Sequence, residues 1–167
     1  MLSLLLKFWC WLFIKSCNKY VKVKFDNLTY FDLDKDTLHI DVFEQDDDDC
    51  GFIRHLREEH DCTVANEYCI IVWATLHELG HYETQFFTDN DPDERELCIR
   101  IPTEIAARSQ AIQNMYYNLP SEYEATEWAI SYEWLHQSQC AWFNRRIDNV
   151  RQKIQRLQSR KRRKETK

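Results

Sequence analysis

The chain has 167 residues, 44% hydrophobic and 30% charged, with only 2 glycines and 3 prolines. That size and apolar content fit one globular domain and exclude collagen-like, low-complexity or wholly disordered chains. The net charge of -6 hides an asymmetry: residues 145–167 hold 11 Lys/Arg against Asp148 and Glu165, so this segment carries +9 and the first 144 residues carry -15. The seven cysteines, at positions 10, 17, 50, 62, 69, 98 and 140, form an odd set without a C-x-x-C pair. An oxidised small domain shows an even, patterned set, so the expectation is free thiols and a reducing, cytoplasmic compartment.

Residues 2–14 are apolar except for Ser3 and Lys7, and include Trp9 and Trp11. Thirteen such residues are too few to cross a bilayer core, which takes roughly 20. A signal peptide carries its positive charge before the apolar run, whereas Lys15 and Lys19 follow it here. A packed first helix is the leading expectation, with an N-terminal membrane association at the interface as the alternative.

Residues 20–25 and 38–43 alternate with period two and read as half-buried strands, with a possible short strand at 29–33 between them. A small antiparallel sheet is expected. The four acids at 46–49 read as a solvated loop, because an EF-hand needs alternating ligands and a glutamate at its twelfth position. Beyond Gly51 the pattern is helical. A short helix is expected over 52–60, and Asn66 is the expected cap of a longer one running past Leu79. Residues 89–93 break the pattern and 103–117 form another helix. Ser121 and Glu124 then make an S-x-x-E capping box. Phe143, Ile147, Val150, Ile154 and Leu157 repeat at four- and three-residue spacings, giving a last helix one narrow seam that can pack inside the chain or pair with a second copy. The chain ends in Arg160, Lys161, Arg162, Arg163 and Lys164, a run able to touch nucleic acid or another anionic surface.

The expected organisation is α+β and mostly helical. An apolar N-terminal helix occupies 1–19 and a central domain 20–142, with the sheet packed against the helix of residues 77–81. An amphipathic helix with a basic tail fills 143–167.

The chemistry is carried by His77-Glu78-Leu79-Gly80-His81, an H-E-x-x-H. On a helix, positions i and i+4 lie one turn apart on one face, so both imidazoles reach a common ion. Zinc accepts two imidazole nitrogens, and a catalytic site adds a third protein ligand and keeps a position open. Glu78 stands beside the pair, where it can take a proton. The short metzincin continuation after His81 is missing, so the third ligand must come from elsewhere. His136 is the only histidine downstream; His39, His55 and His60 read as ordinary surface or core histidines. Glu122, Glu124, Glu127 and Glu133 offer carboxylates on a later helix.

At this point the chain resembles a family. L-H-E-L-G-H-Y at 76–82 followed by L-P-S-E-Y-E-A-T-E-W-A at 119–129 is similar to the ImmA/IrrE-type metallopeptidases of phage and mobile elements, whose second motif is E-x-x-A-N-x-F-A. The resemblance implies a zinc-dependent endopeptidase with Glu78 as general base and a protein substrate, often a regulator. Laid on this sequence, it implies His77, His81 and Glu122 as metal ligands, with Glu124 as the competing third ligand. Thr126 stands where the family has asparagine, and Tyr132-Glu133-Trp134-Leu135 replaces its L-L-x-P. Tyr82, Tyr116, Tyr117, Tyr132 and His136 are unranked candidates to stabilise an oxyanion, and Glu127 or Glu104 to orient a ligand histidine. The competing expectation is a non-catalytic metal-binding protein that acts through its basic C-terminal helix.

Overall fold

A computed structural model describes residues 1–43, 51–84, 116–117 and 119–165. The acidic run at 46–49, the break at 89–93, most of the helix expected over 103–117, and Glu104 lie outside them. The described residues are mostly helical, with a small three-stranded sheet, an α+β arrangement.

Helix α1 (Leu2–Cys17) is apolar on nearly every side and buries Leu6, Cys10, Phe13 and Ile14. Those side chains face α5 (Gln137–Glu165), where the Phe13 and Phe143 rings lie 5.2 Å apart and those of Trp9 and Trp142 5.5 Å apart. Asn18 then turns the chain, its side-chain oxygen accepting the Tyr20 N–H at 2.9 Å.

Strands β1 (Lys22–Phe25), β2 (Tyr30–Asp32) and β3 (Thr37–Ile40) follow, in the order β1-β3-β2. The pairing corrects the expected antiparallel sheet: β2 is antiparallel to β3, but β1 is parallel to it, with Val23 opposite Leu38. Period-two alternation reports which face of a strand is buried and nothing about its partner's direction. The central position also explains why Leu38, His39 and Ile40 are all buried where half-burial is expected.

Helix α2 (Gly51–Glu58) is short, and α3 (Ile70–Thr84) is largely enclosed, with Ile70, Ile71, Val72, Trp73, Leu76 and Leu79 in the core. Asn66 does not cap α3, which begins four residues later. The Cys69 N–H there is taken by the Asn144 side chain of α5 at 2.8 Å, a tertiary cap that local sequence cannot reveal. Helix α4 (Pro120–Leu135) corrects a second cap. Its N-cap is Leu119 with proline in the first turn, so Ser121 lies inside the helix and no side chain caps it. Proline suits that position because its missing N–H is unpaired there in any helix.

The expected boundary at 142/143 falls within α5, a single helix of 29 residues. Phe143, Ile147 and Val150 of its seam are buried within the chain, whereas Leu157 is 54% exposed. Among the described residues no helix is long and apolar enough to cross a membrane. The described cysteines are free thiols, and burial pushes those of Cys17 and Cys140 up to about 12.

Candidate metal centre

The centre lies where α3 and α4 approach most closely. A Cβ built on Gly80 would sit 2.4 Å from the Ala125 carbonyl oxygen and 2.8 Å from its Cα, so only glycine lets the two backbones come this near. Gly80 thus does for the second half of H-E-L-G-H what helical spacing does for the histidines. It brings the first turn of α4, and Glu122 with it, over the imidazole face of α3.

His77, His81 and Glu122 are all buried. Glu122 Oε2 is 2.9 Å from His77 Nε2, and Oε1 is 3.6 Å from His81 Nε2. The two rings stand nearly perpendicular at 82°, their centroids 4.8 Å apart. One ligand atom from each residue lies within 4.8 Å of the others, and this buried His-His-Glu group can hold a metal ion. Burial opposes the charge on Glu122, but the His81 and His77 imidazoles outweigh it and hold the carboxyl below the usual carboxylate range.

Thr126 selects the tautomer of a neutral His77. The Thr126 hydroxyl donates to the Glu122 main-chain carbonyl at 2.8 Å, which leaves its oxygen to accept a hydrogen bond from His77 Nδ1–H at 3.1 Å. With Nδ1 as the donor, a neutral His77 turns the lone pair of Nε2 towards the Glu122 carboxylate. Two acceptors facing one another at 2.9 Å in a buried site require a positive charge between them, a proton or a metal cation. The Phe52 ring meets His77 edge-on at 4.9 Å and closes that side with apolar surface.

Glu78 follows His77 on α3 and is half-buried. Burial raises its pKa, and the nearby His81 and His77 imidazoles work against that rise. Its carboxylate also accepts the main-chain N–H of Phe31 from β2, an edge strand. The Phe31 ring continues the contact, 5.3 Å from that of Tyr82.

The other candidates are placed elsewhere. Glu124 is exposed on α4, and His136 is exposed at its C-terminal end. Glu133 is buried and accepts the Tyr68 hydroxyl at 2.6 Å. Tyr132 receives a hydrogen bond from Gln139 at 3.2 Å. Glu127 does not meet a ligand histidine; it takes His60 Nδ1 at 2.5 Å. His60 Nε2 in turn lies 3.1 Å from His55 Nε2, and His55 stacks on Tyr117. Burial, then His60 and His77, push His55 down to about 4. His39 faces Asp26 at 3.2 Å.

Three features of this surround have no motif in the sequence: the Thr126 oxygen on His77, the Phe31 N–H on Glu78, and the His55–His60–Glu127 row. Only the first leaves a trace, since Thr126 is one turn from Glu122 on the same helix face. Comparison of the chain with protein-family models, curated proteins and solved structures returns no match.

Proposed function

We propose that the chain is a zinc-dependent endopeptidase, with His77, His81 and Glu122 as the metal ligands and Glu78 as the proton acceptor. The observation that carries this reading is the approach of His77 Nε2 to a buried carboxylate while Nδ1 is committed to Thr126. A divalent cation would supply the positive charge that arrangement requires, and two imidazoles with one carboxylate match the donor preference of zinc with a position left open. The likeness of the two motifs to ImmA/IrrE-type metallopeptidases supports the same reading and extends it to a protein substrate, with a regulator as the favoured class.

Bound zinc supplies Lewis acidity, polarising a peptide carbonyl and acidifying water. The chain's own groups supply the rest. Glu78 accepts the proton of the attacking water on its carboxylate and passes it to the departing amine. A half-buried carboxyl with a raised pKa suits that exchange better than an exposed one, and the Phe31 N–H contributes a donor to it. Thr126 keeps His77 in the tautomer that presents Nε2.

The test uses zinc content together with cleavage of a mixed quenched-fluorescent peptide library. Wild-type protein should carry one zinc per chain, and Glu78→Gln should keep that zinc while cleavage falls by about 10²–10⁴-fold. Undiminished cleavage by Glu78→Gln removes the base. Full zinc with no cleavage of any peptide by wild-type protein favours the non-catalytic reading, in which α5, with its exposed stretch beyond Ile154, carries the interaction.

A further inference from the structure

Among the described residues, helix α1 is covered on one side only. Leu6, Cys10, Phe13 and Ile14 are buried, but the side turned away from them is also apolar: Leu4 is 73% exposed, Leu5 40%, Phe8 48% and Trp11 41%. Leu4, Phe8 and Trp11 follow one another at spacings of four and three, so they form a continuous stripe along the helix. A soluble surface seldom carries leucine, phenylalanine and tryptophan side by side, and such a patch marks a contact.

The charges beside the stripe identify the contact. A shallow groove between α1 and α5 is lined by Leu5, Trp9, Arg146, Asn149, Val150 and Lys153. The Arg146 guanidinium lies 5.6 Å from the Trp9 ring centroid and 4.9 Å from that of Trp142, and on another side Lys7 lies over Phe25 at 5.4 Å. Cations therefore flank the apolar stripe, and α1 contains no acidic residue. Arg145, Lys153, Arg156 and Arg160 add exposed positive charge along α5, whose acids are Asp148 and Glu165 alone.

We infer that this face lies on an anionic lipid bilayer, with α1 in the plane of the interface. Leucine and phenylalanine enter the acyl boundary, Trp11 and Trp142 take the headgroup level that tryptophan prefers, and the basic residues meet the lipid phosphates. Sixteen residues of helix span about 24 Å, less than the hydrocarbon core, so the geometry is that of a helix resting on the surface. A second copy fits less well. A symmetric dimer through the stripe would bring Arg146 and Lys153 of both chains together with no acid of α1 between them. Nucleic acid would satisfy the cations and leave the leucine and aromatic stripe without a function. This inference is independent of the metal centre.

Co-sedimentation of the full chain with phosphatidylcholine vesicles, with and without phosphatidylglycerol, tests it. The protein should pellet with the anionic vesicles only, and added sodium chloride should release it. The double substitution Leu4→Glu with Phe8→Glu should weaken binding by roughly tenfold or more while leaving zinc content and thermal midpoint unchanged. Failure to pellet with either vesicle overturns the inference, as does binding that the double variant retains in full. A dimer in sedimentation equilibrium that the double variant dissolves also overturns it, assigning the stripe to a second copy.

Discussion

The helix pairs α3–α4 and α1–α5 invert the ordinary distribution of side chains in opposite directions. Between α3 and α4, two imidazoles and a carboxylate are enclosed where a core would hold leucine; on α1, leucine, phenylalanine and tryptophan face water where a surface would hold lysine and glutamate. Each inversion has a cost, in desolvated charge for the first and in wetted apolar area for the second. The His-His-Glu group of the first pair can hold a cation, which would offset its cost, and the proposed anionic surface would offset that of the second. The pairs also differ in tolerance. Backbone meets backbone at Gly80 and Ala125, whereas rings and long side chains fill the space between α1 and α5.

That difference can be tested by substitutions graded in size of effect. The largest is expected for Glu122→Ala, which should reduce bound zinc to background, while Glu124→Ala on the exposed side of α4 should leave the wild-type content in a metal assay. Gly80→Ala should come next. Its methyl group meets backbone that cannot rotate away, so urea unfolding should show a loss of about 1–3 kcal/mol, and zinc should fall as Glu122 is displaced. Thr126→Val keeps the shape and removes the acceptor for His77 Nδ1, so competition with a chelator should report zinc bound about 10–100-fold more weakly.

The fourth effect is one of pH. The folded His55 imidazole is pushed down to about 4 from 6.5, so below 6.5 the unfolded chain takes up a proton that the folded chain refuses. The unfolded state binds more protons in that interval, and stability should fall as the solution is acidified from 6.5 towards 4. In His55→Gln the same plot of stability against pH should be flatter. The smallest effect is expected on the α1 stripe: Leu4→Glu should change stability by no more than about 0.5 kcal/mol in urea, because its side chain is 73% exposed.

What could be read in the sequence follows the range of the interactions involved. The one-turn spacing of His77 and His81 is local and visible in the letters, as are the amphipathic seam of α5 and the alternation that marks β1 and β3. The parallel pairing of β1 with β3 was hidden because alternation carries no direction. The start of α3 was hidden because its cap, Asn144, is 75 residues away from Cys69. Ser121 looked like a cap only while Pro120 was left out of the helix. Glu122 and Glu124 differ by two positions, so they fall on different sides of one helix. Deciding which side faces α3 requires the close approach at Gly80, and that approach is tertiary. His60 gave no signal because its partner Glu127 belongs to α4, and His55 gave none because it reaches that carboxylate only through His60.

The contact between Phe31 and Glu78 has a different consequence. The donor is main chain, so every amino acid except proline carries it, and an apolar side chain that keeps the packing on Tyr82 can replace phenylalanine without releasing the carboxylate. A substitution that spares the peptide unit there leaves the donor to Glu78, the proposed proton acceptor, in place. Only a change to the backbone itself, such as Phe31→Pro or an ester in place of the amide, would make its contribution measurable.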